Sequence, residues 1–419
     1  MIVLRLALQS LRARWLTALL SVLAIAFSVM LLLGVEKVRN GARQSFADTI
    51  SGTDLIVGAR SGGVQLLLYS VFRIGNATNN MTWQSAREIA ALPDVAWTVP
   101  MSLGDSHRGF RVLGTTPDFF AHYRYRGDQK LALFEGLVFS DVFEAVIGAD
   151  VATALGYEIG DSIVIGHGLG SVSFLDHGDK PFRVAGILQK TGTPVDRTVI
   201  VGLDAIEAIH VDWQQGAPVP GQRVSAEDVR KMDLTPQSVT AMLVGLNSRL
   251  AVFRVQRAVN EYAAEPLSAI LPGAALQELW GLVGIAETAL AVVSAMVVVT
   301  AILGMVTMIL TTLNERRREM AILRSVGARP ATVLGLLATE AGVLTLAGAV
   351  LGTGLLYAVL ATARPWIDRA YGLSLPLSAP TSWELTTLSG IVVAGVVAGL
   401  GPAFLAYRRS LADGMTVRV

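Results

Sequence analysis

All five histidines of this chain, His107, His122, His167, His177 and His210, fall between residues 36 and 287. His167, His177, Asp179, His210 and Asp212 lie near one another in sequence, and imidazole with carboxylate is a donor set that suits Zn²⁺. Surface or turn histidines are nevertheless the default reading, because the chain has neither an H-E-x-x-H motif nor a tight pair of histidines on one helical face. Gly166, Gly168 and Gly170 bracket His167 but lack the strand-to-helix context of a nucleotide loop, and read as a turn. No G-x-x-x-x-G-K-[ST] phosphate loop is present, and none of the five lysines follows a glycine. There is no G-x-S-x-G elbow and no cysteine, so nucleophilic hydrolysis has no residues to work with.

A different pattern runs from Asn314 to Pro330. Glu315, Glu319, Ile322 and Val326 recur at i, i+4, i+7 and i+11, one stripe of a helix, with Leu323 beside them. Arg316, Arg317, Arg318, Arg324 and Arg329 supply positive charge, Gly327 offers a left-handed stop, and Pro330 suits the first turn of a new helix. A loop that only fixes membrane orientation needs the arginines. It does not need two acids and three apolar residues in helical register, which together read as a docking surface for a partner protein.

The elements that position these residues are largely membrane-spanning. The 419 residues are 52% apolar and only 16% charged, with net charge +1, whereas soluble domains run near ~25% charged. Four stretches carry no Asp, Glu, Lys or Arg: Trp15 to Val35, Thr288 to Asn314, Ala341 to Ala363 and Leu385 to Tyr407. A helix needs about 20 residues to cross ~30 Å of hydrocarbon, so each run is long enough to span. The expected order is a first span at 15–35, a second at 288–314, a third within 330–363 and a fourth at 385–407. Residues 364–384 form a short outer loop, and 408–419 a tail.

Segments 1–14, 315–329 and 408–419 share one side of such a topology. They hold eleven arginines against three acids, Glu315, Glu319 and Asp413, leaving 23 basic and 30 acidic residues elsewhere. The positive side belongs in the cytoplasm, which places both termini inside. Trp15 and Tyr407 then sit at the inner interface, and Trp280, Trp366, Tyr371 and Trp383 at the outer one. A cleaved signal peptide is the rival reading of the N-terminus, but its apolar region is too long and no small-x-small site follows. Leu4, Leu8, Leu11 and Trp15 form an apolar stripe beside Arg5, Gln9 and Arg12. Residues 1–14 therefore read as an amphipathic helix on the inner surface, as a basic flank that sets topology, or as both.

Residues 36–287 form a folded extracytoplasmic domain. Strand candidates are Leu55–Val57, Phe110–Leu113, Ser162–Ile165, Phe182–Leu188, Thr198–Val201 and Thr240–Leu246. Helical candidates are 36–50, Trp83–Ala91, Asp204–Ile209 and Leu250–Ala263. Residues 215–223 read as a Pro/Gly-rich surface loop. The fold class expected is thus a membrane protein of four transmembrane α-helices, with a large α+β domain between the first two. In the spans, Gly348 with Gly352 and Gly395 with Gly399 allow close helix approach, either within one bundle or at a dimer seam. Glu340 lies in the third span, where a hydrogen-bonding role is preferred to proton coupling.

Glu315, Glu319, Met320, Leu323, Arg324, Gly327 and Ala328 resemble the loop pattern E-x-x-x-E-I-x-x-L-R-x-x-G-A of the FtsX/MacB-type permeases of ABC transporters. Met320 stands where isoleucine is usual. The opening LRLALQSLRARW, Glu340 with Gly348 and Gly352, and Pro402, Ala403, Ala406, Arg408 and Arg409 are similar to other parts of that family. Segments 52–59 and 182–194 carry a thinner likeness. The layout resembles the stand-alone permeases LolC and LolE. The resemblance implies mechanotransmission: two copies of a cytoplasmic ABC ATPase grip the 315–327 helix in each of two permease copies, and closure moves the spans and the outer domains. ATP and Mg²⁺ would be held by that separate ATPase, with no cofactor in this chain and no nucleic acid among its partners. The implied setting is the bacterial inner membrane, with a lipoprotein, peptide or small amphiphile as cargo. A relay to a periplasmic partner, such as a cell-wall hydrolase, and metal handling through the histidines are the alternatives.

Overall fold

The computed structural model of the chain describes residues 2–167, 177–214, 217–218, 224–315, 322, 325, 327–371 and 377–412. The chain divides into two compact units, one of residues 1–41, 284–366 and 375–419, the other of 42–283 with 367–374.

The second unit is built on a mixed sheet. Its strands run in the order 267–270, 55–59, 241–246, 95–107, 110–115, 198–202, 144–147, 182–188 and 133–136, with two short strands pairing off this path. Neighbours are antiparallel except at two places. Phe110–Thr115 lies parallel to Thr198–Gly202, and Glu144–Ile147 parallel to Phe182–Leu188. Both parallel joins require crossovers, which is why helices separate strands in the sequence. Burial on both faces accounts for the apolar runs within the strands. Ile56, Val99, Met101, Leu113, Val146, Ile200 and Leu243 point into one core. Val57 and Val244 point to a second core on the opposite face, and Val112, Ile147 and Val199 to a third cluster, as the period of two demands. Each such side chain contributes roughly 1.5–3 kcal/mol.

Short helices cover these faces. Trp83–Ala90 starts where the Thr82 hydroxyl accepts a hydrogen bond from the Ser85 amide at 3.2 Å. Leu203–His210 lies so close to the sheet that a Cβ at Gly114 would stand 2.3 Å from Ile206. Glycine is needed there for contact, not for a turn.

Several strands differ from expectation. Val95–His107 is a thirteen-residue central strand although it contains Pro100, Gly104 and Asp105, which read as breakers. A register shift between Leu103 and Ser106 absorbs the disruption. Leu133–Gly136, Glu144–Ile147 and Leu267–Ile270 are too short to show a period. Within 215–223, Ala217 and Pro218 pair with Trp213 and Gln214; the other residues lie outside those described.

Among the described residues four helices are long and apolar enough to cross a membrane, spread over Trp15–Thr49, Pro272–Glu315, Pro330–Tyr371 and Ser382–Ala412, with their charge-free runs in the first unit. A separate helix, Ile2–Ala13, precedes them, and its Leu4 and Leu8, with Trp15 beyond it, lie half-exposed or more. Residues 364–384 are not simply a loop. The third long helix continues through Pro365 to Tyr371, and the fourth begins at Ser382. A charge ends a hydrocarbon run without ending a helix, so the charge-free stretches underestimate helix length.

The carboxylate of Glu144, at the start of the strand that lies between 198–202 and 182–188, accepts from the Ser140 amide at 2.9 Å and the Asp141 amide at 3.2 Å, and pairs with Arg183. The Ser140 bond leads in holding its pKa below the usual 4.5. A depressed folded-state pKa stabilises above the unfolded value, and that contribution is lost as pH falls through the folded one. Glu144→Gln therefore lowers the melting temperature at pH 7, by about 1–3 kcal/mol of stability. Its deficit against the parent shrinks as the pH of the melt is taken below 4.5.

Candidate functional site

In the membrane bundle, small residues set the helix spacing. A Cβ at Gly348 would lie 2.6 Å from Ile25, one at Gly352 2.4 Å from the Ala26 carbonyl oxygen, one at Gly395 2.1 Å from Thr345 and one at Gly399 2.5 Å from Ala341. All four glycines thus face a neighbouring helix of the same chain: the third packs on the first, and the fourth on the third. In lipid this close approach supplies the dispersion contacts that hydrophobic burial supplies in water.

Glu340 is buried on the third long helix. It lines a narrow cleft of about 10 Å³ with Leu11, Arg14, Thr17, Met308 and Thr312, where the first three spans converge. Ser28 donates to the Ala24 carbonyl at 2.7 Å and approaches the Val297 carbonyl at 3.4 Å, a polar contact between the first and second spans.

At the other end of the bundle lies a charged clasp. Lys37 Nζ is 3.2 Å from Glu384 Oε1, and the two side chains are 9% and 5% exposed. The ammonium sits 5.2 Å over the Tyr357 ring, while the Tyr357 hydroxyl donates to the Ser378 carbonyl at 2.8 Å. Glu384 Oε2 accepts from the Thr381 amide at 2.9 Å, and the Glu384 amide donates to the Thr381 hydroxyl at 3.3 Å. That reciprocal pair is a capping box at the start of the fourth helix. One carboxylate therefore caps the fourth helix and ties it to the first, while the Lys37 ammonium reaches the Tyr357 ring of the third. Sequence reasoning passed over it, although the signal was there. Lys37 stands two residues after one charge-free run and Glu384 immediately before another, opposite charges at the same boundary.

Of the 315–327 stripe, Glu315 ends the second long helix. Ile322 and Ser325 are helical and exposed, and Gly327 takes φ 94°, the left-handed region. Arg316, Arg317, Arg318, Glu319, Leu323, Arg324 and Val326 lie outside the described residues.

The histidines come together differently from a metal site. His177 and His210 rings are 5.0 Å apart, and His177 is 4.4 Å from the Trp213 ring, so the group is an aromatic cluster. His210 Nδ1 donates to the Ile206 carbonyl at 2.6 Å. The acids nearby are taken up by a cation: the fully buried Lys180 ammonium lies 2.7 Å from Asp212 and 3.3 Å from Asp179. Lys180 compensates the charge a metal would otherwise balance, and among the described residues no three metal-ligating side chains converge. His167 pairs through its backbone with Asp105. His107 is held between the Val164 carbonyl and the Tyr157 hydroxyl, where burial pushes its pKa down. His122 stacks on Trp97.

Residues 18–262 match the family described as the MacB-like periplasmic core domain, and residues 291–411 that of the FtsX-like permease C-terminal region. The macrolide export ATP-binding/permease protein MacB of Nitrobacter winogradskyi is 25% identical over 408 residues, covering 93% of this chain and 56% of that protein. The protein of the same name from an Azoarcus species is 24% identical over 368 residues, covering 83% of this chain and 50% of its own length. The chain thus spans about half the length of these relatives. The crystal structure of the periplasmic region of MacB from Actinobacillus actinomycetemcomitans aligns at 11% identity with a TM-score of 0.34, covering 55% of this chain and 94% of that one. The extracellular domain of the noncanonic ABC-type transporter YknZ aligns at 12% identity with a TM-score of 0.31, covering 52% and 99%.

The clasp makes a direct prediction. Lys37→Met leaves a buried carboxylate without its cation, which costs about 3–5 kcal/mol, and lowers the melting temperature of the purified protein. Adding Glu384→Gln restores much of the loss. Equal, additive losses from the two changes would show that the pair is not coupled.

Proposed function

The chain belongs to the MacB/FtsX-type family of ABC-transporter permeases, and from that premise we propose that it converts ATP hydrolysis by a separate ATPase into movement of its large domain. The observation that carries this reading is the continuity of the helices. Trp15–Thr49 and Pro272–Glu315, at 35 and 44 residues, run about 52 and 66 Å at 1.5 Å per residue. Crossing hydrocarbon takes only ~30 Å of that. Each surplus lies on the side of the charge-free run that leads to the large domain. The other end of the second helix opens into the arginine-rich 315–327 segment.

In this reading the arginine-rich segments and both termini face the cytoplasm of the inner membrane, and the large domain faces the periplasm. Two ATPase subunits grip the 315–327 segments of two permease copies. Mg²⁺ and ATP bind in those subunits, and their closure pulls on the second and third spans. A second copy of the chain would pack against the bundle at a cleft of about 540 Å³ between the first and second spans. Thr17, Ser21, Ala24, Ser28 and Gly304 line this cleft and would let another helix approach closely. The cargo is a lipoprotein, peptide or small amphiphile handled on the outer side.

Association with the ATPase tests the proposal. Replacing Glu315, Glu319 and Arg324 together with alanine should cut the amount of ATPase that co-purifies by about tenfold or more. Unchanged co-purification, with ATP turnover still responsive to the permease, would refute it. ATP turnover stimulated only by an added periplasmic protein, and never by cargo, would mark a relay instead of a transporter.

A further inference from the structure

A cavity of about 460 Å³ opens in the second unit where the last turns of Trp15–Thr49 meet the start of Phe110–Thr115 and the loop before Thr198. The volume falls within the ~300–1,000 Å³ of small-molecule sites. Its lining is of two kinds. Phe46, Phe72 and Phe110 give it apolar walls, with the Phe46 and Phe72 rings 4.4 Å apart. Arg73, Arg111 and Arg197 give it three guanidinium groups, and no acid lines it.

Among the described residues neither Arg73 nor Arg111 forms an ion pair. Arg73 donates through Nη1 to the Ser70 carbonyl, and its Nε is buried with no hydrogen-bond partner. Arg111 Nη2 donates to the Gly75 carbonyl at 2.7 Å, and Arg197 lies 5.3 Å over the Phe110 ring. Burial first, with a smaller contribution from the charge of Arg111, holds the Arg73 pKa down at about 10. Both groups stay cationic at neutral pH, so the site holds positive charge at the cost of hydration. An anion would relieve that cost. Asp196 is close in sequence to Arg197 but is turned to other partners. Its carboxylate accepts from the Thr191 amide and hydroxyl at 2.8 Å each and from the Gly192 amide at 2.7 Å.

We propose that this cavity binds an anionic amphiphile, with a phosphate or carboxylate head on Arg73 and Arg111 and an apolar chain laid against the wall that Phe46, Phe72 and Phe110 form. The geometry divides the work. A guanidinium fork meets two oxygens of one head group, while the phenyl walls select for a chain and against a free inorganic anion. The inference deepens the reading above by naming a chemistry for the cargo, and rests on that reading only for the ligand's role in transport. Binding itself requires no ATPase.

The test uses the full chain in phosphatidylcholine nanodiscs and a dodecyl phosphate carrying a terminal diazirine. After photolysis, label should concentrate on peptides containing Phe46 or Phe72. Unlabelled dodecyl phosphate should displace it, whereas dodecanol and inorganic phosphate at equal concentration should not. Arg111→Gln should weaken labelling about tenfold or more, the value of a charged hydrogen bond. Label confined to the membrane spans would overturn the proposal. So would equal competition by dodecanol, which would make the site merely apolar, or by inorganic phosphate, which would make it a free-anion site. These outcomes are independent of ATPase co-purification, so either idea can fail alone.

Discussion

Within hydrocarbon every backbone amide and carbonyl must be satisfied inside its own segment, and only a helix does this for a single chain crossing. That requirement fixes four spans here, and the chain extends it. The helices that begin as spans do not end where the apolar residues end. Lys37, Arg39 and Arg43 continue the first helix beyond its charge-free run, and Glu278 and Glu287 belong to the second before its own run begins. Each of these helices runs on past the end of its charge-free stretch without a break, the continuity on which the proposed mechanism relies.

A rod transmits force only when its neighbours hold it. Close contacts at Gly348, Gly352, Gly395 and Gly399 set the first, third and fourth spans at backbone distance, and the Lys37–Glu384 pair binds the same three at one end. The large domain meets the corresponding need with a sheet buried on both faces. Such a sheet has little freedom to shear, since a register slip of one residue would exchange its two cores.

Much of this was legible from residue types. Charge-free runs located the spans, because the penalty for a buried charge is large and local. Phe182–Leu188 and Thr198–Gly202 showed as strands through β-branched runs. Val95–His107 did not, because Pro100 and Gly104 are local signals while the pairing of Met242 with Pro100 and of Leu243 with Val99 is a tertiary one. The surroundings of the histidine cluster were hidden for a similar reason. Spacing placed His177, His210 and Asp212 together correctly, but only the fold inserts Lys180 among the acids. The arginine-lined cavity is the converse case. Arg111 and Arg197 are far apart in sequence, and the parallel register that sets Thr198 beside Arg111 brings them together.

In the proposed mechanism, motion begun by an ATPase reaches the large domain along the first two long helices. The chain has no cysteine, so spin labels at Val38→Cys and Leu282→Cys, both well-exposed positions, would be unique. With labelled chains diluted by unlabelled ones, pulsed dipolar spectroscopy reads the distance between the two helix extensions within one molecule. The distribution should move when the bound ATPase is trapped with ATP and return on hydrolysis. A distribution identical in the nucleotide-free, ATP-trapped and hydrolysed states, with the ATPase bound and active, would contradict it.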